Sequence, residues 1–103
     1  MQRSNYQFTP GPWFVPFKSG TLYVESRIGG GMLQEVAACG PTEDPSQQAA
    51  NAKLIAAAPD LLAAAELCRE ILMRYGIDRI DGEEISDAAL EILHSAINKA
   101  VTS

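Results

Sequence analysis

The sequence predicts an α+β fold in which a three-stranded antiparallel meander precedes two or three packed helices, a βββαα or βββααα order. Residues 9–40 are rich in aromatic and β-branched residues and alternate polar with apolar positions, as strands do. Residues 41–103 repeat their apolar positions every three or four residues, as amphipathic helices do. A chain of 103 residues matches one modest core. We therefore expect a single domain, 1–103, with a β-meander at 9–40 and a helical layer at 41–103.

Three segments of the N-terminal part are predicted strands. Residues 13–17 come first, and Pro16 indicates an edge strand or an early strand end because proline has no amide proton to donate. Residues 21–27 alternate as a half-buried strand does: Leu22 and Val24 on one face, and Thr21, Tyr23, Glu25 and Arg27 on the other. Residues 32–39 form the third strand, which follows a flexible connection at Gly29, Gly30 and Gly31 and ends at Gly40 and Pro41.

The first helix is predicted to begin at residue 45. Asp44 can cap it, Pro45 fits the first helical position, and Gln47 occupies the position of a capping-box residue. Pro59 either kinks this helix or begins a second one, because proline removes a backbone hydrogen bond. Gly76 is the predicted C-terminal stop. One stripe of residues is predicted to face the core: Leu54, Ala58, Leu61, Leu62, Ala65, Cys68, Leu72 and Tyr75.

The last helix is predicted from a capping box formed by Asp81 and Glu84. Its predicted apolar face comprises Ile85, Ala89, Ile92, Leu93, Ala96, Ile97 and Ala100. Helices packed on the meander would cover one face of the sheet and leave the other open. The alanine runs 56–58 and 63–65 allow close helix approach, and surplus alanine-rich surface could mate with another copy. We therefore expect a homo-oligomer.

Composition and charge narrow the classes of partner. Hydrophobic residues make up 47% and charged residues 20%, which is ordinary for a folded domain. The net charge of −5 disfavours duplex nucleic acid. No apolar run approaches the roughly 18 residues that a membrane span needs, and residues 1–9 lack a secretion signal. We expect a cytoplasmic protein that has no membrane partner and no cofactor.

The residues that could carry catalysis or bind a metal are few. Cys39 and Cys68 show no Cys-x-x-Cys spacing and are interpreted as two reduced, packed thiols. His94 lies off the centre of the predicted apolar stripe and is interpreted as a solvated helix residue rather than a catalytic base. No spacing supports a nucleophile with a histidine and an orienting carboxylate. The sequence therefore predicts a protein that is not an enzyme and has no metal site.

An acidic run and a glycine run have structural interpretations beside functional ones. The acids complement the positive end of a helix dipole if they lie in its first turn, and otherwise form a docking edge: Asp78, Asp81, Glu83, Glu84 and Asp87. Gly29 to Gly31 could let a backbone approach a phosphate, yet the run precedes a strand rather than opening a helix. We therefore interpret it as a mobile hairpin loop.

Two motifs resemble a widespread family of short proteins encoded in tailed-phage and prophage accessory regions. The first is Thr9-Pro10-Gly11-Pro12-Trp13, and the second, about forty residues later, runs from Asn51 to Leu62 as NAKLIAAAPDLL. The pair frames residues 9–62 and leaves the last helix unmatched. Most members of this family have no assigned activity, so the resemblance implies a viral accessory protein that acts on host machinery or host defence.

The residues of these motifs also have two interpretations each. Trp13 either packs against the Leu54 and Leu62 stripe or forms, with Phe14, the rim of a binding site. Asn51 either satisfies a strand backbone group or hydrogen-bonds a ligand. In both cases the structural interpretation is the preferred one.

The candidate ligand site is the mixed basic and aromatic patch of Lys18, Tyr23 and Arg27, with Trp13, Phe14 and Asn51 as further candidates. Arg27 suits bidentate contact with a phosphate, and Tyr23 suits stacking on a base. The first functional hypothesis is a non-enzymatic antagonist of host defence that sequesters a small signalling nucleotide in a homo-oligomer. The second is an inhibitor of a host protein complex, such as a host defence protein, that acts by direct contact, either as a nucleic-acid mimic through its negative charge or through its acidic segment 78–87.

Overall fold

A computed structural model describes residues 6–16 and 22–101. It contains a three-stranded antiparallel sheet followed by three helices, so the predicted α+β fold of βββααα order is confirmed. A second, two-stranded sheet lies between the last two helices. The chain divides into two compact units, Met1–Asp60 and Leu61–Ser103. The boundary falls inside a helix, and the single domain expected from the chain length stays a prediction.

The N-terminal sheet is a meander of β1 (Trp13–Phe14), β2 (Leu22–Arg27) and β3 (Leu33–Cys39), paired in that order. The first strand is an edge strand, as predicted, but it ends at Phe14 rather than at residue 17. Pro16 accounts for the early end because it cannot donate to a ladder. Phe17, Lys18 and Thr21, which were assigned to the predicted sheet region, lie outside the described residues.

A tight turn at Gly29–Gly31 joins β2 to β3. The amide of Ile28 donates to the carbonyl of Met32 over 2.8 Å, and Gly30 and Gly31 both have a φ of 78°. That left-handed conformation favours glycine, so the glycine run is needed for the hairpin turn itself. Further along the hairpin, Val24 pairs with Ala37 and Glu25 with Glu35, which leaves Val36 as an extra residue in β3.

The core of the N-terminal unit lies between this sheet and the first helix. Val24, Cys39 and Ala52 are buried, and the residues packed around them are Trp13, Val15, Leu22, Val36, Ala37, Ile55 and Ala56. The inward orientation predicted for Leu22 and Val24 is thereby confirmed. Glu25 differs from the open face predicted for it, because it is only 8% exposed. It lies on the central strand between Phe14 and Glu35, its cross-strand partners, which accounts for its low exposure.

Helix α1 (Pro45–Ala56) begins at the predicted cap. The Asp44 carboxylate accepts hydrogen bonds from the hydroxyl and the amide of Ser46, at 2.8 and 3.0 Å. The hydrogen bond from the Ser46 hydroxyl, followed by that from its amide, lowers the pKa of Asp44 because both favour the charged form. Helix α2 (Ala58–Arg74) follows after Ala57, so Pro59 begins a second helix rather than kinking the first.

Helix α2 ends as predicted but does not bury the whole predicted stripe. Gly76 has a φ of 58°, and the amide of Ile77 donates to the carbonyl of Leu72 over 3.1 Å, which is the hydrogen bond of a Schellman motif. Leu62, Ala65 and Leu72 are half-buried. The remaining large members of the predicted stripe are exposed: Leu54, Leu61 and Tyr75.

The capping box predicted at Asp81 and Glu84 is wrong. Those residues belong to a hairpin of β4 (Arg79–Ile80) and β5 (Glu83–Glu84), whose turn residues Asp81 and Gly82 have φ of 53° and 79°. An Asp-Gly pair with two positive φ angles forms the type of two-residue turn that matches strand twist. Helix α3 (Asp87–Val101) is instead capped by Ser86, whose hydroxyl accepts from the amide of Ala89 over 3.1 Å.

The buried side of α3 keeps Leu93 and Ile97 of the predicted apolar face but is shifted around the helix from the rest of it. Ile97 is 1% exposed, with Leu90, Leu93 and Val101 half-buried on the same side. Ile92, predicted to face the core, is 70% exposed, and Ala89, Ala96 and Ala100 are exposed with it. Apolar residues occupy more than half of the helix circumference. The sequence is therefore compatible with two different buried stripes on α3. The stripe with the larger side chains is the buried one, because it removes more apolar area from water.

Candidate functional site

One face of the N-terminal sheet brings together several of the candidate ligand residues. Val24 and Leu22 point toward α1, so the alternate residues of β2 point to the opposite side. Residues paired across strands share a face. Glu25 on β2 pairs with Phe14 on β1 and with Glu35 on β3, so both partners belong to this face. We name this surface the Arg27 face. Its residues are Phe14, Tyr23, Glu25, Arg27, Leu33 and Glu35.

Arg27 and Phe14 are in direct contact on the Arg27 face. The guanidinium carbon of Arg27 lies 5.8 Å from the centroid of the Phe14 ring, within the range of a cation–π interaction. Arg27 is exposed, and Tyr23 is half-buried four residues earlier on the same strand. A guanidinium that lies over a ring keeps N–H donors along its edge for an anion. Lys18, the other basic residue predicted for this patch, lies outside the described residues.

Carboxylates adjoin the arginine on this face. Glu25 and Glu35 are cross-strand partners, and Glu35 is exposed. Their negative charge disfavours a simple inorganic anion at Arg27. A ligand that carries both a phosphate and hydrogen-bond donors is better matched, because a carboxylate accepts from such donors. The Arg27 face therefore fits a ligand of mixed charge and polarity, with an aromatic plane to stack on Tyr23.

Trp13 lies on the other face of the sheet from Phe14. It packs on the core formed by Val24, Cys39 and Ala52, and its ring nitrogen donates to the carbonyl of Thr9 over 3.0 Å. The preferred interpretation of Trp13 as a packed residue agrees with this position, although Leu54, a partner predicted for it, is 64% exposed and is not among the residues of this core. Trp13 and Phe14 therefore do not form one binding rim, since adjacent strand residues point to opposite faces.

The two sequence motifs, residues 9–13 and 51–62, approach each other in the N-terminal unit at Gly11 and Pro59. The Ser26 hydroxyl, fully buried, donates to the carbonyl of Pro10 over 2.5 Å and fixes the first motif on β2. A Cβ added at Gly11 would lie 3.1 Å from the Cβ of Pro59, which belongs to the second motif. A side chain at position 11 would therefore be crowded where the first motif passes Pro59.

Gly11→Val is expected to lower the free energy of unfolding by about 1–3 kcal/mol, as overpacking does. The added side chain would press on Pro59 from a position that is already closer than ordinary van der Waals contact. Gly40→Val is the matched control, because Gly40 also precedes a proline but has no atom within 4 Å of an added Cβ. Urea unfolding followed by circular dichroism measures both variants. Equal destabilisation by the two variants would contradict the proposed contact.

Asn51 lies at a shallow groove beside α1. The groove has a volume of about 420 Å³ and is lined by Ala38, Cys39, Gly40, Pro41, Thr42, Asn51, Leu54 and Ile55. Asn51 is exposed there, whereas the Gln48 side-chain amide donates to the carbonyl of Cys39 over 2.8 Å. The strand contact predicted for Asn51 is therefore made by Gln48, one helical turn earlier. Because α1 packs on the face that bears Val24, Asn51 is separated from the Arg27 face.

The acidic residues lie mainly on the β4–β5 hairpin. All five predicted residues are exposed: Asp78, Asp81, Glu83, Glu84 and Asp87. Only Asp87 lies in the first turn of α3, so the helix-dipole interpretation is wrong for the other four. Ile77 and Ile80 are also exposed on this segment. The hairpin thus presents carboxylates around two apolar side chains, a composition suited to contact with a basic, partly apolar protein surface.

The residues considered for catalysis are one histidine and two cysteines. His94 is half-buried on the Ile97 side of α3, so it is less exposed than the solvated position predicted for it. Cys39 is a buried free thiol as predicted, but Cys68 is a free thiol on the surface. Within residues 6–16 and 22–101, no three His, Cys, Asp or Glu side chains are grouped closely enough to hold a metal ion. In the same ranges, every helix is too short or too polar to cross a bilayer.

A comparison with protein families matches the whole chain. The model of the family described as Salmonella phage P22 protein Y8K6 covers residues 1–103. The chain belongs to the Y8K6 family. The phage association expected from the two motifs is confirmed by this match, which also extends over the last helix. No curated protein and no solved structure gives a significant match to this Y8K6 family member.

Proposed function

We propose that this Y8K6 family protein is a non-enzymatic antagonist of host defence that sequesters a small signalling nucleotide. The proposal places it in the cytoplasm of the bacterial host as a homo-oligomer. The observation that carries it is the contact between Arg27 and Phe14, beside Tyr23 on one sheet face. Family membership supports the phage context. Sequestration needs tight binding rather than turnover, which is consistent with a site that has an aromatic and a cation but no aligned catalytic group.

Each residue of the site has a distinct part in the proposal. The exposed Arg27 guanidinium holds the phosphate by charge-assisted hydrogen bonds. Tyr23 stacks on the base, which every nucleobase allows. Glu35 accepts hydrogen bonds from an amino or imino group on the edge of the base. Because guanine carries both kinds of donor on one edge, we expect guanine nucleotides to bind more tightly than pyrimidine nucleotides.

Arg27→Ala is expected to weaken nucleotide binding at least tenfold, because hydrogen bonds to charged groups contribute about 1.5–3 kcal/mol. Isothermal titration calorimetry with guanine and adenine mononucleotides and cyclic dinucleotides measures this change. Lys53→Ala is the matched control, since it removes one positive charge from an exposed position on α1. It should leave the affinity within about twofold.

Two results would overturn the proposed site. One is unchanged affinity in Arg27→Ala, provided that the unmodified protein binds a nucleotide. The other is native mass spectrometry of protein purified from bacterial lysate that shows no nucleotide-sized adduct, together with no heat of binding for any nucleotide of the panel. Equal weakening by Lys53→Ala would instead point to a general charge effect and would also count against the site.

The acidic hairpin supports a second candidate function, direct inhibition of a host defence protein. The supporting observation is the set of exposed carboxylates around Ile77 and Ile80. Such a complex should weaken steeply as salt rises, because exposed charges are screened over about 8 Å at physiological ionic strength. Glu83→Lys with Glu84→Lys should dissociate it, whereas Glu91→Lys on α3 should not. Equal effects of these changes would exclude the hairpin as the docking surface.

A further inference from the structure

The C-terminal unit leaves most of its large apolar side chains exposed. Among the described residues from 61 to 101, only Ile97 is buried. The exposed large hydrophobic residues of this unit are Leu61, Leu67, Ile71, Met73, Tyr75, Ile77, Ile80 and Ile92. Apolar surface in contiguous patches is a mark of contact with a partner. The arrangement of these residues on α2 indicates which partner.

Five exposed residues of α2 and its end form one stripe. Their spacing alternates between three and four residues, which repeats every seven residues: Leu61, Ala64, Cys68, Ile71 and Tyr75. We name this set the α2 stripe. A seven-residue apolar repeat is the spacing by which one helix packs lengthwise on another, because it keeps the apolar side chains on a continuous seam. Leu62, Ala65 and Leu72 are half-buried elsewhere on the helix, so the α2 stripe is additional to the residues that the chain buries.

We propose that the α2 stripe pairs with the α2 stripe of a second copy of this chain in antiparallel orientation. The charges at the ends of the helix select this partner and this orientation. Asp60 lies in the first turn of α2 and Arg74 in its last turn, where the Arg74 guanidinium also pairs with the Glu70 carboxylate of the same helix over 2.9 Å. An antiparallel pair places Asp60 of each copy near Arg74 of the other, whereas a parallel pair places like charges together. The resulting interface uses the same surface on both copies, as a two-fold dimer does.

Cys68 lies at the centre of the stripe, midway between Leu61 and Tyr75. In an antiparallel pair centred there, Cys68 of one copy meets Cys68 of the other, and small Ala64 lies opposite large Ile71. This inference specifies the self-association within the proposed function. It does not depend on nucleotide binding, so each of the two proposals can fail alone. Experiments without nucleotide test the dimer, and titrations with nucleotide test the Arg27 face.

Sedimentation equilibrium of the full chain without nucleotide should give twice the chain mass of 11.1 kDa. Ile71→Asp should raise the dissociation constant at least 100-fold, because it places a charge in the seam. Met73→Asp is the matched control: it makes an equivalent change at an exposed position of the same helix that lies off the stripe. A monomeric unmodified protein, or a dimer that survives Ile71→Asp, would overturn the proposal. Equal dissociation by both variants would do the same.

Oxidation by diamide tests the orientation. Diamide accepts two electrons and two protons as two Cys68 thiols form one intermolecular disulfide. The unmodified chain and Cys39→Ser should give a covalent dimer, and Cys68→Ser should not. Cys39 is buried and serves as the internal control. A dimer that resists cross-linking through Cys68 would overturn the antiparallel arrangement, as would a covalent dimer that persists in Cys68→Ser.

Discussion

Val24→Asp is expected to abolish the folded state of the N-terminal unit. Val24 is 0% exposed and lies on the central strand, where it packs with Cys39 and Ala52 between the sheet and α1. A carboxylate there would be buried in an apolar environment, and such changes exceed about 4 kcal/mol. Domains of this size have a total stability of about 5–15 kcal/mol. Circular dichroism and the dispersion of amide resonances in NMR spectra measure the loss of structure.

Ala38→Asp is the matched control for that change. Ala38 is exposed on β3 and pairs with Tyr23, whose side chain points away from Val24. The same carboxylate at this position should alter the free energy of unfolding by no more than about 0.5–1 kcal/mol. A folded Val24→Asp variant would mean that the core does not lie where the structure places it. Equal unfolding of both variants would show only that the sheet tolerates no added charge.

The sheet was the part of the fold that sequence predicted best. Alternation within β2 correctly assigned Val24 to the core, because a strand with one buried face must repeat every two residues. The predicted first strand was too long, since Pro16 ended it early. Burial of Glu25 was not predicted, because it depends on the central position of β2 and on which residues of β1 and β3 lie beside it. Strand neighbours are set by long-range pairing rather than by the strand's own pattern.

The β4–β5 hairpin was missed although a local signal was present. Asp81 and Gly82 form a strong hairpin dipeptide, and Ser86 precedes the true helix by one residue. The carboxyl spacing of Asp81 and Glu84 suggested a capping box instead. In the structure the hairpin forms in place of the capping box. The amide of Ile85 donates to the carbonyl of Asp78 over 2.8 Å and closes the hairpin. Sequence pattern alone does not show which of two compatible local structures gains such a bond.

The candidate site was predicted in part. Placing Tyr23 and Arg27 on one face followed from their spacing in a strand, whereas the contact of Arg27 with Phe14 depends on the register between β1 and β2. Trp13 was grouped with Phe14 in one proposed rim, although neighbouring strand residues face opposite ways. Asn51 was assigned a contact that Gln48 makes. These misses share one cause: a side chain's partner depends on tertiary register, and residue type constrains it only weakly.

Ile97→Asp is expected to remove the cooperative unfolding of the C-terminal unit. Ile97 is 1% exposed and is the buried residue of α3. Ile97 is the one buried residue among the described residues from 61 to 101. A carboxylate at this position would therefore disrupt the core of the unit, because no second buried cluster remains there. We expect a loss of about 4 kcal/mol or more, the range of a charge buried without a partner. Urea unfolding monitored at 222 nm gives the stability and the helical content together.

Ile92→Asp is the matched control for Ile97→Asp. Comparison of the two variants shows which side of α3 is buried. The sequence periodicity placed Ile92 on the buried face, whereas Ile92 is 70% exposed in the structure. Asp at position 92 should therefore change the unfolding free energy by no more than about 0.5 kcal/mol, and it should leave self-association intact because Ile92 is not part of the α2 stripe. The reverse order, with Ile92→Asp the more damaging change, would restore the periodic prediction. That result would contradict the assignment of Leu90, Leu93 and Ile97 to the buried side of α3.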